Sequence, residues 1–382
     1  MRGPSGPRRG PALQDLAIIP DGALLIRNGR IEDVGPTRRI ENLAAARDAH
    51  EINAAGRIVM PGFVDSHAQI VSAGALAIQT TSGRWLQRRA RTLTEGMLRH
   101  GTCTIEAKSA CGLDGGGEMK TLRMQAELDG NPVDIVSTFL EPRSLPAEFR
   151  DRPDAYLDRL LTQTLPTIRR RRLARFVDVR CEDGVFDGAQ VKRFLEGAAQ
   201  LGFHSKMQTG HGPGSGCVDL AVELKLVAIG CSRHMTAAET AALARASIIA
   251  TLLTGSVFHS GEGLDESARR LIDEGGIVAL ASNSNPDTNP GYNMQTAIAL
   301  ACRDMSLTSE QAISAATING AFALGSAART GSLEPGKNAN LLLLNVSDYR
   351  EIPYYAGVNN VHMTVKDGAV VYTEGGVATL AS

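Results

Sequence analysis

The sequence predicts an α/β protein: a (β/α)8 barrel with a small sheet domain assembled from both chain termini. Three observations carry this expectation. The middle of the 382-residue chain alternates short apolar runs with amphipathic stretches of helical period. Eight such runs occur, the number that a closed parallel barrel needs. Hairpin turn signals sit near both termini, outside that alternation.

In chain order, Ala23–Arg27 and Arg30–Val34 read as strands joined by the turn Asn28-Gly29 and ended by Gly35-Pro36. Ile52–Met60 reads as a further strand interrupted at Gly56. The barrel strands are expected at Gly62–Asp65, Thr102–Ala107, Asp134–Phe139, Phe176–Val179, Phe203–Met207, Leu226–Ile229, Ile248–Leu253 and Ile277–Ala281. Helices are expected at Arg84–His100, Ala155–Arg170, Gly188–Leu201, Cys217–Leu224, Ala237–Arg245 and Leu264–Glu274. Near the C-terminus, Asn340–Leu344 reads as a buried strand, and Met363–Lys366 and Ala369–Tyr372 as a hairpin around Asp367-Gly368. Residues 1–60 and 331–382 would then share one sheet domain, with 61–330 as the barrel and Met1–Ala12 as a flexible tail. A doubly wound open sheet is the runner-up.

Composition bounds the function. At 43% hydrophobic and 21% charged residues, the chain is neither disordered nor collagen-like. Lys+Arg 40 against Asp+Glu 41 leaves no basic field to gather nucleic acid or an anionic membrane. No apolar run approaches the ~18–20 residues of a membrane span. The six cysteines lack CxxC spacing, which points to reduced thiols in a cytoplasmic protein and to no disulfide framework. The expected partner is therefore a small-molecule substrate.

In such a barrel the chemistry sits where strands end and loops begin. Those ends carry Asp65-Ser-His67-Ala-Gln69, Glu106-Ala-Lys108-Ser109, Glu141-Pro-Arg143, Arg180-Cys-Glu182-Asp183, Lys206-Met-Gln208-Thr-Gly-His211, Ser232-Arg-His234 and Ser282-Asn283-Ser-Asn285. Three of the eight histidines, His67, His211 and His234, fall on this rim.

The segments Pro61–His67, Gly101–Ser109, Cys181–Phe186, Asn285–Thr288 and Gly331–Leu341 resemble the amidohydrolase superfamily, most closely the imidazolonepropionases, which open an imidazolone ring. The similarity runs in order from about Ala23 to Thr373. It implies a distorted (β/α)8 TIM barrel with a β-sandwich formed by the termini, and a homodimer.

The departures matter more. The resemblance implies a histidine pair at the end of the first strand, where this chain has His67 and Gln69. It implies a ligand histidine where Gln208 stands and a ligand aspartate where Asn283 stands. His234 matches a histidine that assists hydrolysis, and His211 an acidic or amide substrate contact. Arg143 falls where a substrate-binding histidine is expected, and Cys111 where a tyrosine is expected.

Carboxamides are neutral, weak donors, and a zinc or iron site needs about three strong ligands. Without the ion, water stays far too weak an acid for hydroxide to form at neutral pH. The expectation is therefore an enzyme without a metal cofactor. It would make or break a C–N or C–O bond in a small cyclic substrate, by cyclisation, dehydration or hydrolysis, through acid–base catalysis. His67, His211 and His234 are its candidate catalytic residues, and Gln69, Gln208, Asn283, Arg143 and Cys111 its candidate substrate contacts. Two other readings stand beside it: a catalytically dead binding protein, and a Zn- or Fe-dependent imidazolonepropionase-like hydrolase recruiting other ligands.

Overall fold

The computed structural model describes residues 6–71, 81–109, 116–141, 145–181, 186–209, 216–231, 235–255 and 266–376. Eight parallel strands follow one another around a barrel: β4 (Phe63–Ala68), β5 (Thr102–Lys108), β6 (Asp134–Leu140), β7 (Phe176–Cys181), β8 (His204–Thr209), β9 (Ala228–Cys231), β10 (Ile249–Leu253) and β11 (Ile277–Ala281). Each pairs with the next in sequence. The ring closes between β11 and β4 through the Ala68↔Ser284 bridge and the Gln69 N–H to Ser284 carbonyl bond of 2.7 Å. The barrel expected from sequence is thus the fold found, and the open-sheet alternative falls.

Helix starts are written in the sequence. Asp187, Thr236 and Thr308 each form a capping box with Gln190, Glu239 and Gln311, at Gly188–Gln200, Ala237–Arg245 and Ser309–Ser314. In Gly83–Arg99 the residues Leu86, Ala90, Met97 and Leu98 form the buried stripe, and Ser82 caps the first turn.

Two small sheets lie apart from the barrel. One is the hairpin β1 (Gly22–Arg27) and β2 (Arg30–Pro36). Its Asn28-Gly29 turn has φ of 52° and 77°, the backbone that favours these two residues. The other runs β14-β13-β12-β3, from β3 (Ile58–Pro61), β12 (Leu341–Leu344), β13 (Val361–Lys366) and β14 (Ala369–Thr373). Ile31, Val34, Leu341, Leu343 and Val365 pack between them as a common core.

Three expectations are corrected here. The strand expected at Ile52–Met60 forms only from Ile58, because Ala55 and Gly56 take positive φ in a turn. The flexible tail expected at Met1–Ala12 is docked from Arg8 onward. Arg8 is buried and exchanges two 2.8 Å bonds with Asn319, and Leu13 is fully buried at the barrel's edge. Cys181 and Cys217 form a disulfide, where reduced thiols were expected. They lie 36 residues apart in sequence, yet the end of β7 and the helix Cys217–Glu223 bring their Cα atoms to 5.8 Å. That removes the thiol argument for a cytoplasmic location. Among the described residues no helix is long and apolar enough to cross a membrane.

Candidate active site

The site grows from charged residues set into strands that would otherwise be apolar. Glu106 and Lys108 alternate along β5 and so share one face. Both are buried inside the barrel, at most 1% exposed. Lys206 of β8 reaches Glu106 at 2.7 Å, and Lys108 lies 3.4 Å from Glu106 and in direct contact with Asp178 of β7. Thr138 of β6 adds a 2.6 Å hydrogen bond to Glu106. Two ammonium and two carboxylate groups therefore neutralise one another inside the barrel. Burial drives Lys108 down to about 7, with Glu106 opposing. Burial would raise Glu106, but Lys108 and Lys206 overcome it and hold that carboxyl at about 2.

His67, at the end of β4, is 6% exposed. A methyl group at Gly230 of β9 would lie 3.5 Å from its Nδ1 and 3.4 Å from Gln208 Cγ, so both side chains border that glycine. Burial, then the charge of Lys108, drives the His67 pKa well below its ordinary value. Its imidazole is therefore held in the neutral form, able to accept or donate a hydrogen bond, and burial makes it a weaker base than an exposed histidine.

Gln208 donates from Nε2 to Asp178 Oδ2 at 3.0 Å, so the ion quartet also holds this carboxamide. Gln69 accepts at Oε1 from Asn285 Nδ2 at 3.0 Å. Asn283 has φ of +54°. That left-handed turn is fixed by its neighbours: Asn289 Nδ2 donates to the carbonyls of Ser282 and Asn283 at 3.0 and 2.9 Å, and the Ser282 N–H donates to Asp65 at 3.0 Å. Among the described residues, no three His, Cys, Asp or Glu side chains are grouped so as to hold a metal ion. The structure thus brings the His67 ring, from β4, beside Gln208 of β8 at Gly230, with Gln69 and Asn283 at the β4–β11 seam. Cys111, Arg143, Glu182, His211, His234 and most of the glycine-rich loop Gly210–Gly216 lie outside the described residues.

Asp178 and Asp65 are the residues that sequence reasoning missed. The available signal was a lone carboxylate flanked by valines within a strand (Val177-Asp178-Val179), since unpaired charges are rarely buried. Burial raises Asp65 to about 6 against the two hydrogen bonds from Ser282. Its folded pKa lies above the ordinary aspartate value of 3.8, so the stability it contributes is complete below that value and is lost as pH rises through about 6. In Asp65→Asn that dependence should vanish. Urea denaturation at pH 4 and pH 7 should show the wild type losing roughly 2 kcal/mol relative to the variant over the interval.

The geometry agrees with comparisons to known proteins. Residues 224–371 match the model of the amidohydrolase family. Imidazolonepropionase of Parabacteroides distasonis is 36% identical over 390 residues, covering 94% of both chains. That of Symbiobacterium thermophilum is 36% identical over 403 residues, covering 97% of this chain and 95% of its own. Among solved structures, N-isopropylammelide isopropylaminohydrolase from Burkholderia multivorans superposes with a TM-score of 0.73 at 18% identity, covering 94% of this chain and 98% of its own. E. coli guanine deaminase does so with a TM-score of 0.70 at 15% identity, covering 93% and 92%. At those identities the structures speak for the fold alone. The near full-length sequence matches go further, and with them the chain belongs to the amidohydrolase family, as a hydrolase of that fold.

Proposed function

We propose that this chain hydrolyses a ring C–N bond in a small cyclic amide of the imidazolone type. The observation that carries the reading is the extended match to relatives named imidazolonepropionase, 36% identical over nearly the whole chain. Those names favour hydrolysis over the ring closure or dehydration that the sequence left open. Water adds to the ring carbon, giving a tetrahedral intermediate. The C–N bond then breaks, and the departing nitrogen takes a proton.

The donor set at the described strand ends does not fit a tight zinc or iron site. It consists of one imidazole and three carboxamides, and two of the carboxamides are already engaged, Gln69 by Asn285 and Gln208 by Asp178. The reading therefore assigns proton transfer to histidine. Neutral His67 can accept a hydrogen bond from the attacking water, and His211 and His234 are carried from the sequence as the groups that move the proton with it. A homodimer is proposed on the resemblance alone.

A second reading is favoured by the relatives themselves: a Zn- or Fe-dependent imidazolonepropionase-like hydrolase completing its ligand set from other residues. Elemental analysis of the purified protein, paired with turnover of imidazolone propionate before and after chelation, separates the two. Proton-only catalysis predicts substoichiometric metal and activity that survives the chelator. One equivalent of zinc or iron, with activity lost on its removal, would establish the second reading.

A further inference from the structure

Gln69 and Gln208 each have two chemically opposite ends, and their neighbours fix which end remains available. Asp178 Oδ2 faces the Lys108 ammonium, so it serves as an acceptor there. Gln208 must then turn its NH2 group toward Asp178, and its Oε1 carbonyl is the end left over. Across the site, Asn285 Oδ1 is taken by the N–H of Asp287 at 3.0 Å. Asn285 can offer only its NH2 group to Gln69, which must answer with Oε1. The Gln69 NH2 is left over. In neither case does the remaining end have a partner among the described residues.

The two side chains stand on opposite sides of the barrel. Going round the ring from β4, β8 is the fourth strand in either direction. Gln69 follows the end of β4 two residues after His67, held at the β4–β11 seam by its bond to Asn285, and His67 itself reaches across to Gly230 beside Gln208. A ligand lying over the His67 imidazole therefore meets an acceptor on one side and a donor on the other.

The geometry assigns these two carboxamides as a polarity reader: Gln208 Oε1 accepts a ring N–H, and the Gln69 NH2 donates to a ring carbonyl on the far edge. The ligand class is a small ring with an N–H on one edge and a C=O on another, a lactam or cyclic ureide. This deepens the proposed ring hydrolysis and rests on it for the kind of molecule. It concerns recognition and not the bond-breaking step, so binding and turnover can fail separately.

The probes are hydantoin-5-propionate and its N1-methyl and N3-methyl derivatives, titrated calorimetrically into the full-length protein. The parent should bind saturably, and at least one N-methyl form should bind at least about tenfold more weakly, because the acceptor it faces loses its donor. Gln69→Glu keeps an oxygen for Asn285 but turns an acceptor toward the ligand carbonyl. It too should bind the parent at least about tenfold more weakly, at an unchanged melting temperature. Absence of saturable binding by the parent overturns the assignment. So do N-methyl forms that both bind within about twofold of it, or a Gln69→Glu protein that binds as tightly as the wild type. If the polarity pattern holds but no cyclic amide is opened, the hydrolase reading falls and the recognition stands. If N–H and N-methyl rings are opened equally well, the reverse follows.

Discussion

Glu106→Gln should destabilise the protein by about 3–5 kcal/mol, the largest effect expected of any single substitution here. The glutamate is fully buried and takes hydrogen bonds from Lys206 at 2.7 Å and Thr138 at 2.6 Å, with Lys108 at 3.4 Å. A glutamine keeps the shape and removes the charge, leaving two ammonium groups inside the barrel with Asp178 as the one remaining carboxylate of the quartet. The effect has a pH signature. The carboxyl is held at about 2, below the ordinary glutamate value of 4.5. Its contribution is therefore complete above 4.5 and is lost as pH falls toward 2. The gap between wild type and variant, read from urea denaturation, should be full at pH 7 and shrink on acidification. A gap that is absent at pH 7, or one that widens in acid, would show that the ion quartet does not carry the barrel interior.

His67→Gln should lower kcat/KM for the opened ring by about 10²–10⁴-fold while leaving the melting temperature within a few degrees. The neutral imidazole lies beside Gln208 at Gly230, and glutamine retains polarity and bulk without a ring nitrogen that can take a proton as the water attacks. A variant with wild-type turnover would remove His67 from the mechanism.

Much of the barrel could be read from the chain because its strands are short and alternate with helices, several of which carry their own caps, as at Ser82, Asp187 and Thr236. Ile277–Ala281 and Ala237–Arg245 have the same bounds in the sequence reading and in the structure. Other strands run one or two residues longer at their C-terminal ends, as β7 does to Cys181 and β8 to Thr209, because polar residues there still complete the ladder. Less legible were contacts joining distant parts of the chain. The burial of Arg8 depends on Asn319, more than three hundred residues away. The Cys181–Cys217 pairing depends on which helix follows the neighbouring strand. At the site, alternation put Glu106 and Lys108 on one face. Their partner Asp178 looked like one more strand residue, because burial and pairing are properties of the closed ring. The carboxamides at Gln69 and Gln208 were visible as residue types; which end of each is free was not, since Asn285 and Asp178 decide it.

The claim that tests the whole account is ring opening by water. Imidazolone propionate incubated with the purified protein in ¹⁸O-labelled water should give a ring-opened product carrying one labelled oxygen, detected by mass spectrometry. An intact ring after prolonged incubation with active, folded protein, or conversion of the open-chain compound into the ring with loss of water, would contradict it.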